Sequence, residues 1–168
     1  MQNAKDTFYV TLQSRLAALN PARTIVVRGV VRPGTLVEEN ELPSAWVPVN
    51  AFRLQWTGLH VNSGGPLPMV SMECSIQYAT DGTSGNGGMD RGRLLAAMDA
   101  ELVSALSAEP HTVPKMNYSA AGDGVAPAAM GTNVFWADPV FGAATAAEDR
   151  LARTTTVQVY AYQEAGEL

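Results

Sequence analysis

Cysteine and histidine are nearly missing from this chain: Cys74, His60 and His111 are all there are in 168 residues. A single thiol excludes an internal disulfide and any metal cluster built on several cysteines. Charge is scarce too, at 16% of residues against roughly 25% in ordinary globular proteins. No apolar run approaches the roughly 18 residues of a membrane span. The opening residues Met1 to Asp6 have no secretory hydrophobic region. These absences lead to the expectation of a soluble, unprocessed chain in a reducing compartment, with no membrane partner.

What is present suits a folded domain. The length fits a single domain over 1–168, and an apolar fraction of 46% supplies a core. Fifteen glycines, ten prolines and three tryptophans accompany a surface poor in charge. That combination suits a protein that hides surface in an assembly. The net charge of −5 opposes specific nucleic-acid binding through bulk electrostatics, although Arg23, Arg28 and Arg32 form a local basic strip.

Periodicity marks the elements. Phe8, Leu12, Leu16 and Leu19 recur at helical spacing over Asp6 to Leu19, and Asn20-Pro21 ends that helix. The β-branched run Thr24 to Val31 predicts one strand, with Gly29 as a bulge, ended by Pro33-Gly34. An acidic, proline-punctuated stretch from Leu36 to Val49 reads as a loop or partial edge strand. Phe52, Leu54 and Trp56 then alternate with polar residues, as do Val70, Met72, Cys74, Ile76 and Tyr78. The break at Asn62 to Pro66 makes these an antiparallel pair.

A second helix is expected from Asp90 to Ser107, striped by Leu94, Leu95, Met98, Leu102, Ala105 and Leu106, with Asp90 capping its first turn. From 108 to 150 the composition turns to Ala, Gly and Pro, and a long loop or arm is expected, holding a short strand at Thr132 to Trp136. A closing strand follows over Thr154 to Gln163. The expected fold is α+β: one mixed or antiparallel sheet, two helices packed on one face, and a long irregular excursion before the last strand.

Candidate sites are few. The run Gly82 to Gly88 lies between a strand and a helix, the usual geometry for holding phosphate. It lacks the lysine of a phosphate loop, and Asp90 stands where the third glycine of a dinucleotide fingerprint belongs. Gly85, Gly87 and Gly88 are therefore expected in a flexible turn that makes subunit contacts. Glu38, Glu39 and Glu41 read as a solvated loop, because nothing forces those carboxylates into a dry pocket. The serines lack a Gly-x-Ser-x-Gly elbow and Cys74 falls on an apolar face. No catalytic set, metal site or cofactor is expected. Arg28 and Arg32 share parity in a regular strand and suit contact with a protein. Phe135, Trp136 and Phe141 read either as a lid over the core edge or as an arm anchored in a neighbouring subunit.

Taken together, the opening helix, the strands around Val26, Leu54 and Cys74, the helix Arg91 to Ser107 and the final strand near Val159 resemble the tail terminator family of long-tailed bacteriophages. The resemblance is architectural and covers most of the chain. It implies a non-enzymatic virion protein at the head-proximal end of the tail, assembled in the host cytoplasm. Its partners would be copies of itself in a homohexameric ring, the tail tube protein and a neck or connector protein, with DNA passing through ungripped. Another neck or head-tail joining protein is the near alternative. A small α+β domain binding an anion or nucleotide at Gly82 to Gly88 is the alternative of another class.

Overall fold

The computed structural model describes residues 1–37, 48–119, 125–164 and 167. Its first helix, α1 (Gln2–Leu19), buries Ala4, Thr7, Phe8, Leu12 and Leu16 along one face. Leu19 lies off that face and is half exposed. Asn20 leaves helical geometry ahead of Pro21 while its N–H still bonds the Leu16 carbonyl.

The run expected as one strand is a hairpin instead. β1 (Thr24–Val27) pairs antiparallel with β2 (Val30–Pro33), folding at Arg28-Gly29. Both turn residues take positive φ, 49° and 79°, the geometry of a two-residue turn whose twist matches its strands. Gly29 is thus a turn residue rather than a bulge. The reversal also cancels the shared parity of Arg28 and Arg32: Arg28 sits in the turn and Arg32 pairs with Ile25 in the ladder.

A short β3 (Thr35–Val37) runs parallel to the start of β4 (Phe52–Asn62) at one edge of the main sheet. Glu38, Glu39 and Glu41 lie outside the described residues. β4 pairs antiparallel with β5 (Met69–Thr80), from Phe52 opposite Tyr78 to Asn62 opposite Met69, with an irregularity between Trp56 and Gly58. A single turn of 3-10 helix, Ser84–Asn86, leads into α2 (Arg91–Leu106).

The stretch 108–150 departs most from expectation. It holds β6 (Thr112–Asn117), β7 (Ala128–Trp136), β8 (Val140–Phe141) and β9 (Thr145–Ala147). β7, β8 and β9 each pair antiparallel with the closing strand β10 (Arg150–Tyr162), taking successive stretches of it from Ala161 down to Arg150. They amount to one interrupted strand, bonded between its pieces by Ala137 N–H to the Gln158 carbonyl and Gly142 N–H to the Thr154 carbonyl, 2.9 Å each. Pro139 and Gly142 break the ladder, since one lacks a donor and the other has no side chain to pack. Those breaks hide the alternation that a sequence reading relies on.

The main sheet runs β3-β4-β5-β10-β7-β6, mixed because β3 is parallel. Both helices lie against the face formed by Phe52, Leu54, Cys74, Ile76, Tyr78, Val134, Trp136, Val157 and Val159, and join it in one core. Each large apolar side chain fully buried there is worth roughly 1.5–3 kcal/mol. Arg15 adds a polar clamp between the helices: its guanidinium donates to the carbonyls of Ala105, Ala108 and Pro110 at the α2 C-terminus and lies 5.0 Å from the Trp136 ring centre. A cation there satisfies carbonyls that the helix leaves without partners.

Candidate functional site

The glycine-rich loop is ordered around one carboxylate. Asp90 makes no side-chain cap to α2. It turns backwards and accepts the Thr83 N–H at 2.9 Å, the Thr83 hydroxyl and the Asn86 amide at 3.4 Å. The Thr83 hydroxyl, with the Thr83 N–H and Asn86 behind it, holds the Asp90 carboxyl at about 2, well below 3.8. The expected helix cap is therefore corrected to a loop staple. A phosphate at this point would meet donors already engaged by an anion, and a fixed negative charge beside them.

Glycine is required at only part of this loop. Gly82 (φ 84°) and Gly88 (φ 77°) sit in the left-handed region; a Cβ at Gly82 would come 2.7 Å from the Gly88 Cα, while one at Gly88 would come 2.5 Å from Nε of the Arg91 side chain, which would have to move aside. Gly87 has positive φ but open space, and Gly85 meets nothing. Met89 beside them is almost wholly exposed.

The aromatic trio divides. Trp136 is core: its indole N–H donates to the Leu106 carbonyl at 2.9 Å, its ring meets Phe8 edge-on at 5.8 Å, and His111 stacks on it at 6.3 Å. Phe141 packs half-buried at the core edge, while Phe135 points to the opposite sheet face and is exposed. Trp136 is thus removed from the candidate contact residues, and no arm carries the three together. Cys74 is buried in the core. Among the described residues no group of histidine, cysteine and carboxylates is arranged to hold a metal ion.

Two polar clusters went unread in the sequence. In the first, Lys115 on β6 is fully buried and donates to the Tyr162 carbonyl at 2.7 Å and to Glu167 at 2.6 Å, with Glu164 at 3.2 Å. Glu164 accepts the Gly131 and Thr132 N–H groups at 3.0 Å each and the Thr132 hydroxyl. The Thr132 hydroxyl first, then Gly131 and Lys115, bring its carboxyl down to about 2. Burial pushes Glu167 up, but bonds from Lys115 and the Glu164 N–H outweigh it and leave its pKa lowered. In the second, the Tyr78 hydroxyl donates to Asp99 of α2, and Arg153 approaches the same carboxylate at 3.5 Å. Burial, then the bond to Asp99, raises the Tyr78 pKa far above its ordinary value. Both clusters tie elements together beneath the surface.

Two further surfaces stand out among the described residues. One is the sheet face away from the helices, where Gln55, Glu73, Thr156, Gln158 and Tyr160, all half-buried, form a polar, sparsely charged field around the buried Ser75. Glu73 at its middle accepts from Thr57 at 2.7 Å and Gln158 at 3.1 Å. The other is the β1–β2 hairpin, a two-stranded sheet separate from the main one, which exposes Val26, Val30 and Val31 at 63%, 60% and 66%. The exposed Arg28 stands in its turn.

Compared with family models and with curated proteins, the sequence matches none. None of the described helices is long and apolar enough to cross a membrane.

Proposed function

We propose that this chain is a structural subunit of a phage virion, a tail terminator that forms a ring on the head-proximal end of the tail tube. The ring stops tube growth and presents a surface to the neck. The reading rests on the architectural resemblance of helix, mixed sheet, second helix and closing strand. The observation that carries it furthest is the projecting hairpin with three exposed valines, because a free monomer gains nothing from such a surface and a ring subunit uses it. The polar sheet face supports the same reading, since it offers a broad, weakly charged area for a tube or neck protein. The acidic balance of the chain keeps the DNA path free of strong phosphate contacts.

The test uses purified tail tube protein polymerising in vitro. Added in small molar excess over tube ends, this chain should arrest elongation at a concentration set by the number of ends. Continued growth at the uninhibited rate would refute the reading.

A further inference from the structure

Asn86 is the one asparagine in the sequence that precedes a glycine. It closes the 3-10 turn Ser84–Asn86, and Gly87 behind it takes left-handed geometry at φ 57°. Both residues are exposed, and a Cβ at Gly87 would meet nothing within 4 Å. An open cleft of about 700 Å³ runs alongside, lined by Gly85, Asn86, Met89, Asp90, Gly92 and Arg93. Water therefore reaches the Asn86 amide, and the next residue has no side chain to shield its backbone nitrogen. By contrast, the exposed Asn62 precedes Ser63, and its side-chain oxygen accepts the Gly64 N–H at 3.0 Å.

We propose that Asn86 is a site of spontaneous deamidation, and that its conversion releases the glycine-rich loop from Asp90. The Gly87 backbone nitrogen attacks Asn86 Cγ. The new C–N bond closes a succinimide ring, the Cγ–Nδ2 bond breaks, and ammonia leaves carrying the Gly87 amide proton. Water then adds to either ring carbonyl and reopens the ring, giving aspartate or, with the chain routed through the side-chain carbonyl, isoaspartate. Nothing is oxidised or reduced. The product lands on the staple that orders the loop. The Asn86 amide donates to the Asp90 carboxylate at 3.4 Å; a carboxylate in its place removes that donor and sets like charges against each other across the same gap. Arg91 is turned to the Gly88 carbonyl and to Asp149. In isoaspartate the chain also gains an atom within the turn, which moves the carbonyl that accepts the Met89 N–H at 3.1 Å. The outcome is a one-way, time-dependent opening of the loop that presents the exposed Met89. It does not rest on the tail terminator reading.

The experiment ages the full, folded chain at mildly alkaline pH and follows it by mass spectrometry of tryptic peptides. Asn62 and Asn86 fall in one peptide, Leu54 to Arg91, so fragmentation ranks them directly. Asn86 is expected to convert several-fold faster than Asn62, to a mixture of aspartate and isoaspartate. Asn86→Gln, whose longer side chain closes the ring poorly, should show no conversion at that position over the same time. Equal rates at the two asparagines, or an Asn86 that stays intact, would overturn the site. The release is read separately on Asn86→Asp, by hydrogen exchange at the Thr83 amide, which donates to Asp90 at 2.9 Å. Exchange several-fold faster than in the parent chain is expected. Unchanged exchange would mean that Arg93, on the same cleft, neutralises the new carboxylate, and would overturn the release.

Discussion

The guanidinium of Arg23 grips the carboxylate of Glu101 with two bonds, Nε to Oε2 at 2.7 Å and Nη2 to Oε1 at 2.8 Å. Asn20 adds its amide to the same Oε1 at 2.8 Å. Burial pushes the Glu101 carboxyl up, but the bonds from Arg23 and Asn20, with the arginine charge, leave its pKa lowered. The end of α1, the base of the hairpin and the middle of α2 are thereby joined at one point. Arg23→Ala leaves Glu101 largely buried without its partner and is expected to cost about 2–3 kcal/mol, read as a lower urea midpoint. Arg23→Lys should recover only part of that loss, because an ammonium cannot make the paired contact.

Lys115 should be more sensitive still. Lys115→Met strands Glu167 in a buried setting and is expected to cost about 3–5 kcal/mol. Adding Glu167→Leu removes the stranded charge and should return part of the stability. A double variant no more stable than the single one would show that the lysine acts through packing alone.

The glycine loop separates conformational need from mere composition. Gly82→Ala combines positive φ with a backbone collision and should cost about 1–3 kcal/mol. Gly85→Ala meets open space without positive φ and should change stability by less than about 0.5 kcal/mol. Thermal unfolding of the two variants, side by side, checks the contrast.

Acid should loosen the loop and the Lys115 cluster together. Asp90 and Glu164 fall from ordinary values of 3.8 and 4.5 to about 2. A depressed folded pKa contributes stability that is fully present above the ordinary value and lost as pH falls through the folded one. The chain should therefore hold its stability down to about pH 4.5 and lose it progressively towards pH 2. Carboxylate carbon shifts followed by NMR should show both midpoints near 2. Midpoints near 4 would contradict the Thr83 and Thr132 contacts.

The long periodic elements were legible from sequence: both helices, β5 and β10 each bury a face against the core, and β4 does so at its start through Phe52 and Leu54 while its far half is exposed. The Arg28-Gly29 reversal was not, because an arginine at positive φ interrupts a β-branched run without any loss of strand-forming residues. Part of β7 was legible as the short strand Thr132 to Trp136, whereas β6, β8 and β9 were hidden by Pro114, Pro139 and Gly142 and by pairing with partners further along the chain, β7 for β6 and β10 for β8 and β9. Lysine is normally a surface residue, so nothing local marks Lys115 as buried; its partners Glu164 and Glu167 are about fifty positions away. Asp90 stood where a helix cap belongs and was claimed by Thr83 instead. Of the surface candidates, Arg28, Gly85 and Gly87 are exposed and Arg32 and Gly88 half-buried, whereas Trp136 had no local sign of its place in the core.

The central claim is most directly tested by negative-stain images of tail tubes mixed with this chain. The account predicts a ring of density on one end of each tube, with a subunit mass matching this chain and, for six copies of 17.8 kDa, about 107 kDa in total. Bare tube ends in the presence of folded, saturating protein would contradict it.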